Sequence, residues 1–332
     1  MSAAAPMLEV VICTWNNAAS LEGVLVALAR QESVEQSRWS CLVVDNNCDD
    51  DTQDVIQRFV AAGTIPGLRS VHEPEQGLTP ARLRGARSST AAWIAFVDDD
   101  CFVRPDWIAQ AIAFAERHPA IGAFGGKVVL DWDVEPPRWL RNYGWLFAAN
   151  DQGDVQREVA FVAGAGLVVS RRSLAASGWI DAPLLADRVG ESLVSGGDVE
   201  IVLRIRGAGY ALWYVPECEL RHRIPARRMS PHYLRTIGFN LGISQALSDV
   251  LVWEGSASSW RIASTVNVLQ QILRFLGLAF DAVRRVRSVD EISVQRHFTA
   301  GQLVGIWRIV GMAPRRRREL LGRAARQKLG AS

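Results

Sequence analysis

The chain lacks the cysteine patterns that build disulfide or zinc frameworks. Its five cysteines (Cys13, Cys41, Cys48, Cys101 and Cys218) include no CxxC pair and are odd in number, which argues for reduced thiols in a cytosolic compartment. It also lacks a strong charge of either sign. The 37 Lys and Arg against 35 Asp and Glu leave a net charge of +2, too small to name nucleic acid as a partner. Residues 1–6 carry neither the basic start nor the apolar run of a signal peptide. No apolar stretch approaches the ~20 residues that a spanning helix requires, because residues 268–280 and 303–312 are short and each contains an Arg. These absences set the expectation of a cytoplasmic chain with a soluble catalytic part.

What is present is a core-forming sequence of 332 residues, 49% hydrophobic and 22% charged, enough for one large α/β domain with an appendage. Leu8–Thr14 and residues 40–44 are β-rich apolar runs. Residues 68–72 and 93–97 continue the series. Between them, residues 20–30, Thr52–Ala62, Leu78–Ser88 and 104–117 read as helices, the first with Leu21, Val24, Leu25 and Leu28 on one face and Ser20 as N-cap. Continuous apolar strands alternating with helices predict an α/β fold, a mostly parallel, Rossmann-like sheet with flanking helices. Ligands of such sheets sit beyond the C-terminal ends of the strands. Three of those ends are polar: Thr14-Trp15-Asn16, Asp45-Asn46-Asn47 and Asp98-Asp99-Asp100. Later, residues 124–130 and 161–170 read as strands, residues 132–145 as an irregular Trp-rich loop and residues 178–197 as another loop. A helix is expected from Asp198, and residues 231–332 read as mostly helical.

Several side chains in this pattern suit chemistry. Three adjacent carboxylates at a strand end repel one another unless a cation neutralises them, and their hard oxygens suit Mg²⁺ or Mn²⁺. In an extended segment Asp98 and Asp100 would face the same side, so one metal would sit between them or on Asp100. Asp45 either accepts from the N–H of a base or opens a turn. Arg82 and Arg84 meet a phosphate, hold the acidic cluster, or lie on an exposed helical face, the last being the reading for Arg84. Asp198 follows Gly196-Gly197 and is either a helix N-cap or a general base for an acceptor hydroxyl. His222, expected just after a strand pair, either completes a metal shell or is structural.

Together these segments resemble the family-2 glycosyltransferases, which have the nucleotide-sugar-binding glycosyltransferase-A fold. The matching pieces are residues 10–17, 43–52, 77–86 and 94–100, then Gly196-Gly197-Asp198-Val199-Glu200 with Arg204, Gly209-Tyr210, Val215-Pro216 and His222, in order over residues 8–225. The resemblance implies roles. Thr14, Trp15 and Asn16 would hold the nucleotide, Asp45 would contact its base, and Arg82 would sit by the nucleotide or its phosphates. Asp98 and Asp99 would lie near ribose and sugar. Asp100 would hold Mg²⁺ or Mn²⁺, with His222 approaching the metal or diphosphate, and Asp198 would be the base of an inverting transfer from a nucleotide-diphosphate sugar. The chain departs from the family pattern at Cys13 (commonly Pro), Trp15 (Tyr), Leu83 (Asn) and Gly197 (Glu).

Residues 1–230 are thus expected to form the catalytic domain and residues 231–332 a helical region. There Leu269, Ile272, Leu273, Leu276, Phe280 and Val283 recur at helical spacing near Arg274, Arg284 and Arg285. That helix either packs on the domain or rests on an anionic membrane surface, with the run at residues 315–318 assisting. Since many members of the family act on lipid-linked acceptors, the expected partners are a nucleotide sugar, a glycan or lipid-linked acceptor and a peripheral contact with the inner membrane surface. Two rival readings stand beside transfer. A sugar nucleotidyltransferase would want a Gly-rich basic loop, absent between Val10 and Leu21. A non-catalytic sugar-nucleotide binder has Gly197 as its one hint. Residues 132–145 are read either as an aromatic acceptor wall or as a packed loop.

Overall fold

The computed structural model describes residues 5–185, 196–284 and 287–321. The chain divides into two compact units. The first comprises Met1–Asp131, Ala148–Pro183 and Tyr210–Arg223, and the second Trp132–Phe147, Leu184–Gly209 and Ile224–Ser332.

The first unit opens with β1 (Leu8–Thr14), α1 (Ala18–Ala29), β2 (Trp39–Asp45), α2 (Thr52–Ala62), β3 (Arg69–His72), α3 (Leu78–Ser88), β4 (Trp93–Phe96), β5 (Cys101–Val103) and α4 (Trp107–Arg117). Then come β6 (Ala123–Gly125), β7 (Val128–Trp132), β8 (Arg157–Val159), β9 (Leu167–Ser170), α5 (Arg171–Ala176), β10 (Leu212–Tyr214) and β11 (Leu220–Ile224). The main sheet has the order β3-β2-β1-β4-β9-β6-β10-β8. Its β3-β2-β1-β4 half is parallel throughout, as the alternating β and α segments require. The β10–β6 pair is also parallel, while β9 runs antiparallel to both β4 and β6, and β8 antiparallel to β10. A three-stranded sheet, β5-β11-β7, completes the unit.

β1 and β2 read as uninterrupted apolar runs because both of their faces are covered. Val10, Ile12, Leu42 and Val43 are fully buried, and one cluster joins Val10, Ile12 and Val43 to Leu21, Leu25 and Leu28 of α1 and to Trp107 and Phe114 of α4. Each such side chain contributes about 1.5–3 kcal/mol on leaving water. Trp107, wholly buried, keeps its indole N–H satisfied on the Cys218 carbonyl at 3.1 Å.

Several local expectations need correction. α1 starts at Ala18, so Ser20 lies inside it and is not its cap. The Ala18 N–H donates instead to Asp50 at 3.0 Å, so the neighbouring loop anchors the first turn. α4 starts at Trp107 rather than at 104, after a turn closed by the Trp107 N–H on the Arg104 carbonyl. The strand expected at 124–130 is two strands in different sheets, broken at Gly126, whose backbone lies against the Cys218 carbonyl. Of residues 161–170 only the last four are strand. The loop expected at 132–145 contains the 3-10 segment Arg138–Phe147, kinked at Tyr143. His222 stands in the middle of β11 rather than after a strand pair.

The second unit is helical, with α6 (Gly197–Gly207), α7 (Pro231–Leu251), α8 (Ala257–Arg284), α9 (Val289–Gly311) and α10 (Pro314–Leu320). Ser230 and Ser288 cap α7 and α9, accepting from the N–H of Tyr233 and Glu291, and Pro231 takes the first helical position of α7. α7 and α9 meet backbone to backbone. A Cβ on Gly242 would stand 2.1 Å from the Phe298 carbonyl oxygen, and one on Gly301 2.0 Å from that of Phe239. A core of Val250, Leu251, Trp260, Ile306 and Ile309 closes the bundle. The outward side of α8 is apolar and uncovered, with Ile262, Leu269, Leu273 and Leu276 exposed. The side chains of Phe280 and Val283, and residues 186–195, Arg285 and Lys328, lie outside the described residues. Among the described residues, no helix is long and apolar enough to cross a membrane.

Candidate active site

The C-terminal ends of β1, β2 and β4 lie side by side by register, with Thr14 opposite Asp45 on neighbouring strands. The Asn46 N–H closes the join on the Thr14 carbonyl at 3.1 Å. Two asparagines at these ends adopt left-handed backbone, Asn16 with φ 48° and Asn47 with φ 62°, a conformation that asparagine tolerates better than most residues.

The acidic triplet differs from expectation in one respect that matters for chemistry. It is a turn, closed by the Cys101 N–H on the Asp98 carbonyl at 3.0 Å, and not an extended segment. Its three carboxylates therefore fan out instead of alternating. Asp98 faces the buried Arg82 of α3 at 3.5 Å. Asp99 accepts from the Thr14 hydroxyl at 2.7 Å and from the Asn17 amide at 2.9 Å. Asp100 faces His222 Nε2 at 3.4 Å.

His222 reaches Asp100 because the turn runs straight into β5, and β11 pairs antiparallel to β5 with His222 opposite Cys101. Among the described residues, Asp100, Cys101 and His222 form a cluster whose ligand atoms all lie within 4.8 Å of one another. Asp100 and His222 are both buried. Burial, followed by the charge of Asp100, holds the Cys101 thiol well above its usual range, so it remains S–H, directed at Asp100. Beside that thiol the cluster offers a cation a carboxylate oxygen and an imidazole nitrogen, a pair that suits Mn²⁺, and Mg²⁺ through the oxygen. Burial, and then the Asp100 charge, push the Asp99 carboxyl up to about 7 against the opposing hydrogen bonds from Thr14 and Asn17.

The remaining residues expected at the site are placed as follows. Trp15 is 39% exposed at the β1 end. Asn16 exchanges hydrogen bonds with Asp49, donating from its amide at 2.5 Å and accepting from the Asp49 N–H at 2.9 Å. Asp45 is buried, and its Oδ1 accepts from the Cys48 N–H at 2.9 Å, as in the turn reading. Burial alone would raise its carboxyl, but that bond, with Gln53 and His72, outweighs burial and lowers it. Arg84 is exposed on α3, in keeping with the reading made for it. Thr14, Asp45, Arg82, Asp98, Asp99, Asp100 and His222 all lie in the first unit, in separate groups: Thr14 with Asp99, Arg82 with Asp98, His222 with Asp100, and Asp45 within its own turn.

Asp198 belongs to the second unit. It is the second residue of α6, and its Oδ1 is buried with no hydrogen-bond partner among the described residues. Two residues on, Glu200 is wholly buried and accepts from the N–H groups of Leu184 and Leu185 at 2.8–2.9 Å and from Arg204 at 2.8 Å. This carboxylate ties the chain at residues 184–185 to α6 and holds Asp198 at the helix start. Acids in the first turn and Arg204 and Arg206 in the last suit the helix dipole.

Sequence reasoning gave no role to three of these groups. Asn17 bonds Asp99. Asn46 donates to the Glu73 and Glu75 carbonyls and accepts from the Gly77 N–H, shaping the approach to α3. Glu200 is the third. An asparagine pair after a strand is the usable signal for the second. For Glu200 the signal is its i, i+4 spacing to Arg204.

Comparison with known proteins adds a family. The model for glycosyl transferase family 2 matches residues 9–177. A glucosyl-dolichyl phosphate glucuronosyltransferase of Haloferax volcanii is 25% identical over 189 residues, 56% of this chain and 60% of that protein. The glycosyltransferase AglE of the same organism is 27% identical over 218 residues, 64% of this chain and 66% of that protein. The chain thus spans a little under two thirds of the length of these two relatives. The crystallised mannosyltransferase PcManGT from Pyrobaculum calidifontis, in complex with GDP-Man and Mn²⁺, shares the fold with a TM-score of 0.59 at 17% identity, covering 92% of this chain and 88% of that one.

Proposed function

This chain belongs to glycosyl transferase family 2 with a fold of the glycosyltransferase-A type, and from that premise we propose that it transfers a sugar, with inversion, from a nucleotide-diphosphate sugar to a hydroxyl of a glycan or lipid-linked acceptor. The observation that carries this reading is the fanned acidic turn beside the β1 and β2 ends, with Asp100 and His222 set apart from the other two acids.

In this reading Thr14, Trp15 and Asn16 border the nucleotide, Asp45 meets its base, and Arg82 serves the phosphates. Asp98 and Asp99 orient ribose and sugar. Asp100 and His222 hold Mn²⁺ or Mg²⁺, which when bound supplies positive charge toward a departing diphosphate. Asp198, whose Oδ1 has no partner among the described residues, accepts the proton of the acceptor hydroxyl as it attacks the anomeric carbon from the face opposite the leaving group. Inversion follows from one such displacement. Residues 1–230 carry this chemistry and residues 231–332 serve the acceptor side, with a peripheral seat on the cytoplasmic membrane face.

A thermal-shift screen of nucleoside diphosphates and their sugars, with and without Mn²⁺, tests the donor half. A stabilising nucleotide whose effect grows with Mn²⁺ is expected, and no stabilisation by any of them would sink the reading. For the base, Asp198→Asn is expected to bind the donor as the wild type does and to lose transfer by at least about 100-fold, in line with general-base catalysis. Equal transfer by both proteins would remove Asp198 from that role.

A further inference from the structure

The second unit contains a cavity of about 560 Å³ bordered by α8, α9 and the 3-10 segment Arg138–Phe147. Tyr143, Trp145 and Phe298 form an aromatic wall, with Trp145 and Phe298 in edge contact at 5.1 Å. Arg274 and Arg287 supply the charge. Arg287 is matched by Glu291 at 3.3 Å, and Glu291 also accepts from the Tyr143 hydroxyl at 2.9 Å. Arg274 makes no ion pair with an acid among the described residues.

Gly277 lies one helical turn past Arg274 and Leu273, so it borders both the cavity and the exposed apolar stripe of Ile262, Leu269, Leu273 and Leu276. A Cβ built on it meets nothing within 4 Å. Residues 256–280 contain no acidic residue, while Arg261 and Arg274 stand among them. An aromatic-walled cavity with one available guanidinium, opening onto an uncovered apolar stripe free of acids, is complementary to an amphiphile with an anionic head.

We propose that this cavity binds the phosphate head of a bilayer lipid at Arg274, with the apolar chain of that lipid lying along the α8 stripe. None of the residues lining the cavity is among those assigned to donor or base.

Titration calorimetry of the full chain with decyl phosphate, decanol and inorganic phosphate tests the assignment. Wild type and Gly277→Ala, whose methyl has open space, are expected to bind decyl phosphate alike. Gly277→Trp, which fills the cavity, and Arg274→Glu, which reverses its charge, are expected to bind at least tenfold more weakly. Decanol and inorganic phosphate should each bind the wild type at least tenfold more weakly than decyl phosphate. Undiminished binding by Gly277→Trp, or equal binding of either half-ligand, overturns the proposal. In cosedimentation, wild type is expected on phosphatidylglycerol vesicles and not on phosphatidylcholine, with loss in Leu273→Glu. Equal association with both vesicles, or with neither, overturns the assignment to a bilayer lipid. Stabilisation by nucleoside diphosphate and Mn²⁺ should be the same in Gly277→Trp as in wild type, so a failure of the donor reading registers independently of this one.

Discussion

At the scale of single residues, the acidic turn is one motif in sequence and three environments in space. Asp98 is paired with Arg82, Asp99 is hydrogen-bonded within the strand ends, and Asp100 is aimed at His222. Raising the Asp99 carboxyl from 3.8 to about 7 has a consequence for pH dependence. A folded-state pKa above the unfolded one favours folding while the group is protonated, and that advantage is lost as pH rises through the folded value. In EDTA, the Tm should therefore fall as pH rises from about 4 to about 7 and level off above that, and the slope should be absent in Asp99→Asn. Saturating Mn²⁺ should flatten the slope, because a bound cation stabilises the ionised carboxylate. A flat profile in EDTA, or the same slope in Asp99→Asn, would show that Asp99 is not the group responsible. Asp100→Asn is expected to weaken Mn²⁺ binding by at least about tenfold, or about 1.4 kcal/mol, measured by the Mn²⁺-dependent shift in Tm. An unchanged Mn²⁺ response would remove Asp100 from the cation site.

At the scale of elements, α6 depends on a buried carboxylate for its connection to the chain before it. Glu200→Gln removes the charge that balances the buried Arg204 and weakens the acceptor for the Leu184 and Leu185 N–H groups. A loss of about 3–5 kcal/mol in urea-unfolding free energy is expected, and less than about 1 kcal/mol would contradict the network's importance. The elements differ in how plainly the sequence announces them. β1, α2 and α3 have the expected ends because apolar runs and helical periodicity are local and suffice there. The break at Gly126 was illegible because the Cys218 carbonyl that causes it lies some ninety residues away. The fan of Asp98, Asp99 and Asp100 was illegible for a similar reason: strand periodicity continued past Phe96, while the chain turned to bring His222 alongside Asp100. The convergence of the strand ends, by contrast, was legible, since the C-terminal ends of parallel strands in an α/β sheet meet along one edge wherever the side chains then point.

For the whole molecule, ligand linkage gives the scale of the donor test. A nucleotide held at a hundred times its Kd adds about 2.7 kcal/mol to the folded state, or roughly 5–10 °C in Tm for a unit of 150–250 residues. A shift of that order that vanishes in Arg82→Ala would support phosphate contact by Arg82, whereas an equal shift in that variant would place the phosphates elsewhere. The glycine contact between α7 and α9 has a different kind of consequence, one for the range of sequences able to encode this chain. At Gly242 and Gly301 the neighbouring helix supplies carbonyl oxygens where any side chain would begin, so neither the size nor the polarity of a replacement can make it fit. A saturation-mutagenesis map should therefore be blank at these two positions, even for alanine, while the α8 stripe tolerates exchange among apolar residues. The most intolerant positions of the helical region would then be those with no side chain at all.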